Sequence, residues 1–312
     1  MPKLKILVTG ANGFVGGALV ATLRGNRSEV VGAVRTQPGP GQVAVGDIGP
    51  ATDWSAALQA CDRVVHAAAH VHRVRAAGAH EAGQFHRVNT QGTLNLARQA
   101  AAAGVARLVF VSSVKAMGEQ GRFCAADACL PADAYGVSKR EAEIGLLEIA
   151  HTSGMEVVIV RPPLVYGARV GANFLQLMQA VDRRLPLPFG SIDNRRSLIY
   201  VGNLVAAIAA CLDHPAAAQK IYLPKDEEDV STPDLIRMLA TALDRPVRLV
   251  RVPRLLLRYA AACLGRSAQF ERLTGSLTLD DGAMRDDLGW RPPYSTQQGL
   301  LATAQWYRRH GS

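Results

Sequence analysis

Along the first half of the chain, short runs of β-branched residues alternate with alanine-rich helical patterns. Lys5–Val8, Glu29–Val34, Arg63–His66, Leu108–Ser112 and Val157–Arg161 read as strands. Val15–Arg24, Trp54–Gln59, Gln91–Ala103 and Tyr135–His151 read as the helices between them. Strands this apolar, alternating with helices, predict an α/β fold with a Rossmann-like, doubly wound parallel sheet covered on both faces. After Gly167 the rhythm changes. Proline and arginine become frequent, and the pattern turns helical over Asn173–Asp182, Leu204–Leu212, Thr232–Leu243 and Pro253–Leu264. The expected organisation is a dinucleotide-type domain over residues 1–167, with returning elements near 197–224 such as Ile199–Val201, and a smaller, mostly helical substrate lobe over 168–312.

No run approaches the roughly 18 apolar residues of a membrane span. Leu204–Leu212, bracketed by Asn203 and Asp213, reads as a buried helix. Pro253–Leu264 is apolar enough to suggest an interfacial element, but its length suits a packed lobe helix, and that is the expectation. At the N-terminus, Ile6–Val8 is too short for a signal-peptide core. Five scattered cysteines (Cys61, Cys124, Cys129, Cys211, Cys263) read as reduced and structural, in a cytoplasmic protein.

The length of 312 residues allows about two lobes. Lys and Arg number 35 against 26 Asp and Glu, a formal charge of +9. Such a balance calls for an anionic partner, whether nucleic acid, a membrane surface or phosphorylated small molecules, or else describes only a basic solvated surface. Nucleic acid is disfavoured, because the basic residues are dispersed and aromatics make up only 5% of the chain.

The first predicted strand runs into Thr9-Gly10-Ala11-Asn12-Gly13-Phe14-Val15-Gly16. Gly10 suits a tight turn, Gly13 a close backbone approach to a pyrophosphate, and Gly16 the packing of helix on strand. A helix beginning there offers free N–H groups to phosphates. Gly10, Asn12, Gly13, Phe14, Val15 and Gly16 are therefore candidate dinucleotide contacts. After the second strand stands Arg35, with no carboxylate to meet a ribose 2′-hydroxyl, and this favours NADP(H) over NAD(H). Asp47 and Ile48 are candidates for the adenine amino group and face. Tyr135 and Lys139 lie four apart, on one helical face. An ammonium beside a phenol lowers its pKa and equips it for proton exchange with a sugar hydroxyl or ketone. A serine at the end of Leu108–Val111 would hold the reacting oxygen. Three histidines in 66–75 lack carboxylate or cysteine partners, so no metal site is expected. The segment reads as a loop over the nicotinamide, with His72 or Arg73 near the sugar.

Together with His66-Ala67-Ala68-Ala69, Asn89-Thr90-Gln91-Gly92-Thr93, Arg161-Pro162-Pro163-Leu164-Val165-Tyr166-Gly167 and Leu288-Gly289-Trp290-Arg291-Pro292, these motifs span nearly the whole chain. The chain resembles extended short-chain dehydrogenase/reductases acting on nucleotide sugars. The resemblance implies that Ser113, Tyr135 and Lys139 are catalytic. It also implies that Ala67, Ala68, Ala69, Asn89, Lys139 and Pro162 lie along the cofactor. Counting back from Gly118 selects Ser113 over Ser112. Asn173 and Arg196 are implied as contacts of the nucleotide pyrophosphate, and Lys115 is a candidate sugar contact. The resemblance further implies a homodimer built from the Tyr135 helix and Gln91–Ala103. The family's 4,6-dehydratases follow the catalytic Ser/Thr with an Asp-Glu pair, where this chain has Val114-Lys115, so dehydration is disfavoured. Two readings stay open at C4 of a UDP-hexose. One is 4-ketoreduction, making a UDP-N-acetyl-6-deoxyhexosamine for O-antigen. The other is 4-epimerisation with tightly held NAD, as in UDP-glucose 4-epimerases. Arg35 tips the expectation to the reductase.

Overall fold

The computed structural model describes residues 4–25, 28–71, 79–265 and 267–310. Seven strands form one parallel sheet: β1 (Lys5–Thr9), β2 (Glu29–Val34), β3 (Gln42–Ala44), β4 (Arg63–His66), β5 (Arg107–Val111), β7 (Glu156–Val160) and β10 (Ile221–Tyr222). Their spatial order is β10-β7-β5-β4-β1-β2-β3. The order turns back beside β1, where a doubly wound sheet opens its ligand crevice at the carboxyl ends of the strands. The strands are apolar on both faces. In β1, Ile6 and Val8 enter one core while Leu7 enters the other; in β5, Val109 and Val111 oppose Leu108 and Phe110.

One core takes Leu19 and Leu23 from the Phe14–Gly25 helix and Leu204, Ile208 and Leu212 from Val201–Asp213. The other takes Leu96 and Ala100 from Thr93–Ala102, and Ala142 and Leu146 from Ala134–Ser153. A third core lies beyond the sheet. There Phe174 and Met178 of Ala172–Asp182, Ile236 and Leu239 of Thr232–Leu243, and Leu300 and Ala304 of Thr296–His310 pack together. Two short parallel pairs tie the halves: β8 (Leu164–Tyr166) with β9 (Leu198–Tyr200), and β6 (Gly121–Phe123) with β11 (Leu277–Leu279). Between them Asp226 is fully buried, accepting from Tyr166 Oη at 2.6 Å and Asn203 Nδ2 at 2.7 Å.

Two elements differ from the sequence expectation. The helix expected from Gln91 is preceded by a π-helical turn, His86–Gly92, and becomes α-helical at Thr93. The expected packed lobe helix, Arg254–Cys263, contains no buried residue. Its leucines satisfy a helical pattern, but the third core is already closed by the Thr296–His310 helix. Among the described residues, no helix is long and apolar enough to cross a membrane.

Candidate active site

Gly10 ends β1 in the left-handed region at φ +68°, and a Cβ there would stand 3.0 Å from the Ala68 backbone. A Cβ on Gly16 would lie 2.2 Å from the Gly10 carbonyl, so only glycine lets the Phe14–Gly25 helix start this close to the strand. The Asn12 carboxamide oxygen accepts from Gln42 Nε2 at 3.0 Å. The loop is braced by a buried relay that sequence reading did not find. Thr9 Oγ1 accepts from the Ala68 N–H at 3.1 Å and meets His66 Nδ1 at 2.7 Å, while His66 Nε2 meets Thr93 Oγ1 at 2.9 Å. Burial, with the nearby Lys139 charge, pushes His66 down to about 3, so it is neutral. Arg169 adds a second unforeseen contact, its Nη2 donating to the Asn12 carbonyl at 3.4 Å.

At the end of β2, Arg35 Nε pairs with Asp47 at 2.9 Å, both side chains exposed. The two residues expected to meet different parts of an adenosine therefore hold each other. Ile48 packs against the second core, its Cγ2 2.6 Å from where a Gly92 Cβ would stand.

The catalytic candidates gather where β5 ends. Ser112 and Ser113 part company there. Ser112 Oγ donates to the buried Glu143 at 2.6 Å, whereas the Ser113 hydroxyl hydrogen-bonds the Tyr135 phenol. Asp133 caps the Ala134–Ser153 helix by accepting from Gly136 N at 2.7 Å. A Cβ on Gly136 would lie 2.3 Å from the Lys115 carbonyl, so glycine is what lets this helix press Tyr135 against Ser113. Lys139 is buried, donates to the Val111 carbonyl at 3.0 Å, and lies 4.6 Å from the Phe110 ring centroid and 5.9 Å from that of Tyr135. Burial pulls Lys139 down to about 7, with Glu143 opposing. Burial and the Asp133 carboxylate push Tyr135 up, with Ser113 opposing. Burial disfavours either charged form alone, and each charge would favour the other.

A cleft of about 610 Å³ runs past these groups. Phe14, Val15, Ala67, Ala69 and Pro162 line one end beside Ser113, Tyr135 and Lys139, while Lys115, Asn173 and Arg196 line the rest. Lys115 Nζ pairs with Glu119 at 2.9 Å and with Asp133. Arg196 Nη1 is anchored on the carbonyls of Arg272 (2.7 Å) and Gly275 (3.0 Å). Asn173 is exposed in the first turn of its helix. Gly10, Asn12, Gly13, Gly16, Arg35, Asp47, Ile48, Ala68 and Asn89 do not line the cavity. Asn89 instead clasps His70, accepting from its N–H at 2.8 Å and donating to its carbonyl at 3.0 Å, and donates to Ser138 Oγ at 3.1 Å. His72 and Arg73 lie outside the described residues. The glycine cradle, the helix N-terminus and the slot between Phe14 and Ala69 fit a dinucleotide, and the remainder of the cleft is open to a second ligand.

A profile of the NAD dependent epimerase/dehydratase family matches residues 6–223. A UDP-glucose 4-epimerase of Vibrio cholerae is 44% identical, over 98% of this chain and 95% of that protein. An N-acetyl-alpha-D-glucosaminyl-diphospho-ditrans,octacis-undecaprenol 4-epimerase of Escherichia coli O157:H7 is 27% identical, over 96% of this chain and 94% of that one. Among solved structures, MoeE5 in complex with UDP-glucose and NAD superposes with a TM-score of 0.80 at 25% identity, over 99% of this chain and 100% of that one.

Proposed function

The chain belongs to the NAD dependent epimerase/dehydratase family, and on that premise we propose that it is a 4-epimerase of a UDP-hexose, working with NAD(H) or NADP(H). Residues 1–167, with the returning strand near 221, would carry the dinucleotide, and residues 168–312 the nucleotide sugar. The observation that carries the reading is the placing of Ser113, Tyr135 and Lys139 on one wall of a cleft that continues to Asn173 and Arg196. The 44% identity to a UDP-glucose 4-epimerase over nearly the whole chain supports the choice of reaction.

In this account bound nicotinamide supplies the hydride acceptor and donor. Tyr135 takes the proton of the C4 hydroxyl as oxidation proceeds and returns it to the C4 oxygen after the sugar has turned. Ser113 holds that oxygen by a hydrogen bond. Lys139, fixed by the Val111 carbonyl, balances the phenolate charge. Gly10, Gly13 and Gly16 let the backbone meet the pyrophosphate, with Asn12, Phe14 and Val15 at the helix start. Ala67, Ala69 and Pro162 flank the nicotinamide, and Asn89 shapes that wall by fixing His70. Arg196 and Asn173 hold the UDP diphosphate, a task for which a guanidinium is suited. Dehydration is disfavoured, because Val114-Lys115 follow Ser113 where the family's dehydratases have an Asp-Glu pair.

One observation favours a second reading. Arg35 stands just after β2, where an acidic residue would meet a ribose 2′-hydroxyl, and on leaving Asp47 it suits NADPH and single reduction of a UDP-4-keto-6-deoxy-N-acetylhexosamine in O-antigen synthesis. A homodimer through the Ala134–Ser153 and Thr93–Ala102 helices accompanies either reading, and light scattering tests it. To separate the two reactions, the purified enzyme is given UDP-glucose, UDP-N-acetylglucosamine, or a 4-keto-6-deoxy UDP sugar with NADPH. Sugar interconversion without net change at 340 nm supports the epimerase; stoichiometric NADPH loss with only the keto sugar overturns it.

A further inference from the structure

The stretch Arg245–Leu264 contains five arginines (Arg245, Arg248, Arg251, Arg254, Arg258) and no carboxylate, so it holds much of the chain's excess positive charge. Arg245 pairs with Asp182, and Arg254 pairs loosely with Glu271. Arg248, Arg251 and Arg258 are exposed and, among the described residues, make no ion pair. Interleaved with these cations are large apolar side chains that face water. Leu255 is 71% exposed, Leu256 61%, Tyr259 77% and Leu264 71%.

At 100° per residue the Arg254–Cys263 helix sorts these cleanly. Leu257 and Ala261, partly covered, face the protein, and Leu255, Leu256, Tyr259 and Cys263 form the opposite stripe. Arg254 and Arg258 fall on one flank between the two. In the preceding segment Val247 and Val250 are exposed as well. A soluble monomer gains nothing by holding such a stripe in water. An apolar ridge flanked by arginines, Arg258 among them without an ion pair to any described residue, is the arrangement that inserts between lipids while its cations meet phosphate headgroups.

We infer that the outer face of the Arg254–Cys263 helix, with Arg248, Arg251 and Arg258, is a docking surface for an anionic phospholipid bilayer. Binding is peripheral, since no described helix is able to span a membrane. The inner face of this helix packs on Ser267–Thr274, whose Arg272 and Leu273 form part of the cleft wall, and the docked stripe is the opposite face. The surface therefore holds the enzyme at the membrane. This inference does not depend on which sugar is turned over.

The test is co-sedimentation of the full-length protein with vesicles of phosphatidylcholine alone, or of phosphatidylcholine with phosphatidylglycerol. The expected result is binding to the anionic vesicles only, weakened as salt is raised. Leu255→Glu with Tyr259→Glu should weaken it at least tenfold. Leu130→Glu, another strongly exposed leucine far along the chain, should leave it unchanged, and all variants should keep the thermal midpoint and activity of the parent. No binding to anionic vesicles, or equal binding by the double variant, overturns the inference. So does a parental oligomer that the double variant converts to monomer without loss of vesicle binding, since a second copy would then occupy the face.

Discussion

Glu143 and Arg161 form a two-point ion pair with no access to water, Nε to Oε1 at 2.9 Å and Nη2 to Oε2 at 2.7 Å. It fastens the helix carrying Tyr135 and Lys139 to the end of β7. Glu143 also receives Ser112 Oγ and faces Lys139. Removing one partner strands the other charge in a dry site. Glu143→Gln should therefore cost about 3–5 kcal/mol of stability in urea unfolding. A loss below about 1 kcal/mol, the range of an exposed pair, would show that the pair is not what anchors this helix.

His66 makes the fold sensitive to acid. Burial holds its pKa down at about 3 in the fold against the ordinary 6.5, so between those values the unfolded chain binds the extra proton. Its contribution is full above pH 6.5 and is lost as pH falls toward 3, by roughly 1.4 kcal/mol per pH unit within that window. His66→Gln keeps groups able to bond Thr9 and Thr93 but cannot titrate. Urea midpoints measured from pH 7 to pH 4 should fall more steeply for the parent than for the variant. Parallel curves would refute the assignment.

Tyr135→Phe removes only the hydroxyl that meets Ser113. The turnover number should drop by about 10²–10⁴, with dinucleotide affinity by fluorescence titration unchanged. Ser113→Ala should lower turnover less. Full activity of Tyr135→Phe would remove it from the proton path.

Arg35 now spends its charge on Asp47. If it exchanges that partner for a 2′-phosphate, Arg35→Ala should weaken NADP(H) about tenfold and leave NAD(H) unaffected. An equal effect on both dinucleotides would reduce Arg35 to a surface ion pair.

The parallel sheet was legible because its strands are apolar on both faces, and the glycine loop because each glycine has a steric task that leaves a spacing behind. Tyr135 and Lys139 were legible as one helical face. The hidden parts are those whose partners are far apart in the chain. Nothing local in Glu143 announces Arg161, and nothing in Thr9 announces His66 and Thr93. Gly136 looks like an ordinary helical glycine until the Lys115 carbonyl is found against it. The three-residue strands β6 and β11 are too short to show a period, and they pair across more than 150 residues. The Arg254–Cys263 helix misled for a different reason. Its composition suits a core, and only the packing of other helices reveals that no core is left for it.

The central claim is that one hydride leaves C4 and the same hydride returns to its other face. The most direct test supplies UDP-glucose or UDP-N-acetylglucosamine carrying deuterium at C4 and follows the product by NMR. The account predicts a C4-inverted sugar that keeps its deuterium, with no net change in nicotinamide absorbance. A C4-inverted product that has exchanged deuterium for solvent hydrogen, or no inversion at all with any UDP-hexose, would contradict it.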